Sequence, residues 1–159
     1  MSEPAWLIEA RKDLGLQEAP GPADNPRVVK MFADAGHPEI KHDSVAWCAA
    51  AVGAWLKRAG LRGTGSLWAL DYMKWGQPLS KPVLGAIAVK KRVGGGHVTL
   101  VVGKSGNVIY CLGGNQADSV SIAAYDASVF AYRWPTGIPV TTLPLPSNIK
   151  DARSGVSEA

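Results

Sequence analysis

The chain has 159 residues, 47% of them hydrophobic, and a formal net charge of +4. That is enough apolar side chain for one domain with its own core and too little chain for two. Two cysteines are too few for a disulfide framework, and no apolar run reaches the roughly 18 residues of a membrane-spanning helix.

The charge is unevenly spread. Residues 48–104 carry nine Lys/Arg against one acid, a net +8, while residues 1–47 carry five against eight. Such a middle third either attracts polyanions, whether nucleic acid, lipid headgroups or an acidic wall, or is a solvated basic face. The start, MSEPAWLIEARKD, lacks the basic and then apolar blocks of a secretory signal. The sequence therefore predicts a protein made in the cytoplasm without a signal peptide, with both cysteines kept as thiols.

In chain order, SEPAWLIEARKDLG predicts a first helix, with Ser2 as cap, Pro4 in the first turn and Gly15 as stop. NPRVVKMFADAG predicts a second, capped by Asn25, with Pro26 at its first position and Gly36 past its end. A third is expected from about Val45 to Ala59, with Lys57 and Arg58 in the last turn before Gly60. A shorter fourth runs from about Ser66 to Trp75 and closes at Gly76.

After QPLSKP the periodicity becomes alternating or continuously apolar. VLGAIAVKKR, HVTLVVG, NVIYCLGG, DSVSIAAY and VFAYRW read as consecutive strands. Helices followed by an antiparallel meander make an α+β arrangement, with the helices on one face of the sheet. Residues 1–139 are expected to form the single domain, and the Pro-rich and then polar residues 140–159 an extended or disordered tail.

Cys48 falls in the first turn of the third helix, where unpaired N–H groups and the helix dipole favour a thiolate. The alternative is a small buried hydrophobe, which is what most free cysteines are. A nucleophilic cysteine needs a base, and the base needs a group to fix its tautomer. Of three histidines, His37 and His42 lie in a loop, whereas His97 opens a strand, which holds a side-chain direction better. Closing the next hairpin through a three-residue Ser105–Gly106–Asn107 turn sets Asn115 opposite His97, with Cβ atoms about 4.5–5.5 Å apart. A two-residue turn makes the partner Gly114 or Gln116, so Gln116 is the second candidate orienter. Cys111 reads as a strand residue packed against the helices. No close Cys or His pair has the spacing of a structural zinc site, and no cofactor is expected.

Cysteine at a helix start, histidine on a strand and a polar orienter on the next strand describe a papain-like layout. In sequence and order, the blocks LGLQEAPGPADNP, AWCAAAVGAWLKRAG, GTGSLWALDYMKWGQPLSKPVLGAIAV, GHVTLVVG, LGGNQADSVSI and YRWP resemble a bacterial and phage family. This is the family of CHAP-type (cysteine, histidine-dependent amidohydrolase/peptidase) and NlpC-type cell-wall hydrolases, and the resemblance covers roughly residues 5–135. The resemblance implies a papain-like catalytic domain that cleaves an amide bond of the peptidoglycan stem peptide, as an endopeptidase or amidase, in the manner of a phage endolysin. Cys48 then matches the nucleophile, His97 the base and Asn115 the third polar residue. Asp43 and Trp47 match the ends of the family's lead to the cysteine. A glutamate that some members place two residues before the asparagine is Gly113 here, so a glutamate-assisted variant is excluded.

Trp47, Trp68, Trp75, Asp43 and Gln116 are the candidate substrate-binding residues. Lys90, Lys91 and Arg92 are expected to border the cleft and hold the protein on an anionic wall. The expected partner is peptidoglycan, with no nucleic acid and no transmembrane segment, and the expected state is a monomer acting on the wall after release or delivery. The alternative is a non-catalytic wall- or polyanion-binding module on the same fold.

Overall fold

A computed structural model describes residues 2–19, 24–41, 47–149 and 152–154. Among these residues three α-helices come first: α1 (Ala5–Lys12), α2 (Pro26–Asp34) and α3 (Cys48–Arg58). Pro4, not Ser2, takes the capping position of α1, and its carbonyl accepts from the amides of Leu7 (3.0 Å) and Ile8 (3.1 Å). Ser2 stands too far outside the helix to cap it. Asn25 caps α2 as its sequence requires, its Oδ1 accepting from the Arg27 amide at 2.9 Å, with Pro26 at the first helical position. The α3 helix opens at Cys48, and the expected start at Val45 lies outside the described residues. From Cys48 to Leu56 every residue of α3 is buried, so it is the central helix, and α1 and α2 pack against it. The fourth predicted helix is a single stretch of 3-10 helix, Ala69–Lys74. Thr64 and Ser66 delay its start by accepting the Ser66 and Trp68 amides on their own hydroxyls.

Asp13 ties the three helices together. Its carboxylate accepts from Arg27 Nη2 (2.8 Å), Trp55 Nε1 (2.9 Å) and Arg58 Nη1 (3.0 Å). Arg58 also bonds Asp34 at the end of α2.

Among the described residues, seven strands form one sheet: β1 (Gln77–Leu79), β2 (Ile87–Arg92), β3 (Gly95–Ser105), β4 (Val108–Gln116), β5 (Ser119–Asp126), β6 (Ala131–Trp134) and β7 (Arg153–Ser154). Their order is β1-β6-β2-β3-β4-β5-β7. The α+β class stands. The meander holds only from β2 to β5, because β6 crosses back to pair with β2 and the unforeseen β1 adds to β6. Residues 140–149 run without regular structure over β3, where the Lys104 amide donates to the Pro146 carbonyl at 2.9 Å. β7 then lies parallel to β5 at Ala123–Ala124. Ile87, Leu100 and Leu112 are opposed in register and fully buried, forming the apolar centre of the sheet. No helix among the described residues is long and apolar enough to cross a membrane.

The β3–β4 hairpin closes through a two-residue Gly106–Asn107 turn, with Ser105 opposite Val108 and Gly106 at φ +59. A bulge between Val101 and Gly103 then shifts the register by one. Beyond it Leu100 faces Leu112, the offset that the three-residue turn predicts. The short turn and the bulge cancel.

Candidate active site

The β4 strand does not continue that register to its end. Its pairing with β5 is irregular between Gly113 and Gln116, and Asn115 has φ 59, a left-handed conformation that asparagine tolerates. Ala117 (φ 55) and Asp118 (φ 57) follow as the two central residues of the β4–β5 turn, closed by Gln116 opposite Ser119. The kink at Asn115 swings the next side chain round, and the imidazole of His97 meets Gln116. Nε2 of His97 lies 2.9 Å from Gln116 Oε1. Asn115, the partner that an unbroken register gives, is buried beside it at the kink.

The amide of Gln116 is held from both ends. Its Nε2 donates to the carbonyls of Ser121 (2.7 Å) and Cys111 (3.3 Å). With both hydrogens spent on carbonyls, Oε1 is the end that faces His97, and an oxygen accepts. Nε2 of His97 therefore carries the proton, and in the neutral ring Nδ1 holds the lone pair. Tyr125 Oη also donates to Oε1 at 2.8 Å and stands 3.4 Å from His97 Nε2. Tyr125 has no signal in the sequence: it sits near the end of β5, paired with Ile109. Lys90, opposite His97 on β2, extends its ammonium over the Tyr125 ring, 5.4 Å from the centroid.

Cys48 is the first residue of α3 and is 6% exposed. The neighbouring turn packs on β4: a Cβ at Gly114 would stand 2.8 Å from both the Ala51 methyl and the Trp47 ring. A Cβ at Gly113 would stand 2.5 Å from Thr99 Oγ1 and 3.0 Å from Gln116 Oε1. Adjacent strand residues point to opposite faces. The start of α3 and the His97 network thus meet the Gly113–Gln116 stretch from its two sides, and only glycine fits at either contact.

The remaining candidates separate. Trp47 is fully buried, with Nε1 bonded to Glu18 at 2.7 Å, so it is a core residue and not a cleft residue. Gln116 is also fully buried, which makes it a partner of His97 and not a substrate contact. Trp75 is half-buried, its Nε1 on the Arg62 carbonyl at 3.1 Å and its ring against Tyr72. Trp68 is 53% exposed, beside Gly95 at the start of β3. Asp43 and His42 lie outside the described residues. Cys111 is fully buried, and burial pushes its thiol pKa well up, only partly offset by the Lys90 ammonium. By the alternation of β4 it shares the Gly113 face, so it packs away from α3 and not against the helices as its sequence suggested. Lys91 is exposed, whereas Arg92 donates to the carbonyls of Gly96 and Val93 and braces the β2–β3 turn. Among the described residues, no three His, Cys, Asp or Glu side chains cluster as metal ligands.

Compared with family models, with curated proteins and with solved structures, the chain has no match.

Proposed function

We propose that the chain is a cysteine-dependent hydrolase of an amide bond in the peptidoglycan stem peptide, with Cys48 as nucleophile, His97 as base and Gln116 as the residue that orients it. The observation that carries this reading is the Gln116 amide, whose fixed orientation leaves the lone pair of the neutral imidazole on Nδ1. A buried histidine needs no such tautomer for packing, whereas a general base does. The resemblance of the GHVTLVVG and LGGNQ blocks to CHAP-type enzymes supports it. A Cβ at position 113 would stand 2.5 Å from Thr99 Oγ1 and 3.0 Å from Gln116 Oε1, so the site leaves no room for the glutamate that some of those enzymes carry.

In this mechanism His97 Nδ1 takes the thiol proton of Cys48, the resulting thiolate attacks the amide carbonyl, and the tetrahedral intermediate collapses to a thioester. His97 gives its Nδ1 proton to the departing amine, then takes one from the water that hydrolyses the thioester. This reading assigns the Cys48 backbone N–H, at the start of α3, as a donor to the oxyanion. No metal or redox partner enters the reaction. Mass spectrometry of purified peptidoglycan after incubation with the protein tests the proposal, because new amine and carboxyl termini name the bond cut. An unchanged muropeptide profile contradicts it.

One observation favours a second reading, a non-catalytic wall- or polyanion-binding module. His97 is fully buried and Cys48 nearly so, and the contacts at Gly113 and Gly114 set the His97 network and the start of α3 on two sides of β4, an arrangement suited to packing. Salt-sensitive binding to polyanions without new termini would select it.

A further inference from the structure

The Gln116 oxygen accepts from two donors, and the second is unaccounted for by a cysteine–histidine pair with one orienter. Tyr125 Oη donates to Oε1 at 2.8 Å, which leaves its own lone pairs turned toward His97 Nε2–H, 3.4 Å away. The imidazole N–H thus has two acceptors, an amide oxygen at 2.9 Å and a phenol oxygen further off, themselves hydrogen-bonded to each other. The phenol ring is fixed independently of these bonds. It packs edge-on against Phe130 with centroids 5.3 Å apart, lies 6.0 Å from the imidazole centroid, and has the Lys90 ammonium over its face. A rigid ring with its hydroxyl at this junction limits how far either Gln116 or His97 can rotate.

We propose that Tyr125 is a positioning residue for His97: it holds the Gln116 oxygen in place and closes the imidazole N–H into a three-membered hydrogen-bond network. The catalytic consequence rests on the reading of His97 as the base. A group that acts through another in this way lowers turnover when lost and leaves substrate affinity nearly unchanged.

Tyr125→Phe removes the hydroxyl and keeps the ring contacts with Phe130 and Lys90. In ¹⁵N-histidine-labelled protein, the wild type should give a His97 Nε2–H resonance that exchanges slowly with water. In Tyr125→Phe that proton should exchange at least severalfold faster, with circular dichroism unchanged. On a soluble stem-peptide substrate, turnover should fall by roughly fivefold to fiftyfold, below the about 10²- to 10⁴-fold of a full acid–base contribution, with little change in KM. Tyr125→Trp, which also lacks the hydroxyl and keeps an aromatic ring, should behave like Tyr125→Phe and serves if the latter misfolds. Equal exchange in wild type and variant would overturn the positioning role. Faster exchange with unaltered turnover would overturn its catalytic importance. A wild type with no turnover on any wall peptide would instead overturn the hydrolase reading, while the exchange rates would still decide the role of Tyr125.

Discussion

His97 Nε2 and Gln116 Oε1 lie 2.9 Å apart although the hairpin register aims His97 at Asn115. The left-handed backbone at Asn115 is the cause, because it breaks the alternation of β4 one residue before the strand ends. Asn115 therefore shapes the approach and Gln116 makes the contact. Gln116→Ala should lower turnover by roughly tenfold or more with a smaller change in KM. Asn115→Gly, which keeps the positive φ, should cost less. Steady-state cleavage of one soluble stem peptide by both variants orders the two residues, and a larger loss in Asn115→Gly would reverse the assignment.

The same comparison marks what was legible in the residues. Asn25, Pro26 and Gly36 announced α2, and the β-branched runs announced β2 to β6, because caps and periodicity are local properties. Cys48 at a helix start and His97 at a strand start were readable for the same reason. The partner of His97 was not. A short turn, a bulge at Val102 and a kink at Asn115 each move the register by one, and the first two cancel. Tyr125 and the Trp47 core position depend on how the sheet twists and where α3 lands, and no spacing encodes those.

Asp13 is the junction of the helical layer, accepting three charged or indole N–H groups while 6% exposed. Asp13→Ala strands the Trp55 indole N–H and leaves Arg58 with Asp34 alone. Unfolding free energy should fall by about 2–4 kcal/mol, measured by urea denaturation. A loss within about 0.5 kcal/mol, the range of ordinary surface substitutions, would mean that the clamp is solvated.

Ala117 holds φ 55 in the β4–β5 turn, a conformation that costs a residue with a Cβ roughly 1 kcal/mol. Ala117→Gly should relieve that strain and raise the thermal midpoint, without touching the His97 network. A fall in the midpoint would show that the chain entropy of glycine outweighs the relief.

His37 bridges Glu39 through Nδ1 (2.8 Å) and the Gly65 carbonyl through Nε2 (2.7 Å). Two acceptors suit the imidazolium, so the Glu39 bond first and the Gly65 bond second raise its pKa above 6.5. A raised folded pKa makes this contact fully stabilising below the unfolded value, and its contribution is lost as pH rises through the folded one. An NMR titration should place His37 above 6.5 in the wild type and lower in Glu39→Gln. Coincident curves would remove Glu39 as the cause.

The central claim is that Cys48 and His97 act as a thiol–imidazole pair, and the pH profile of Cys48 alkylation reads it most directly. In a Cys111→Ser background the rate of carboxymethylation by iodoacetamide is followed by mass spectrometry from pH 5 to 10, with and without His97→Ala. The pairing predicts rapid reaction well below the ordinary thiol pKa of about 8.5 with His97 present, and a profile centred near that value once the imidazole is gone. Superimposable profiles in the two proteins would contradict it.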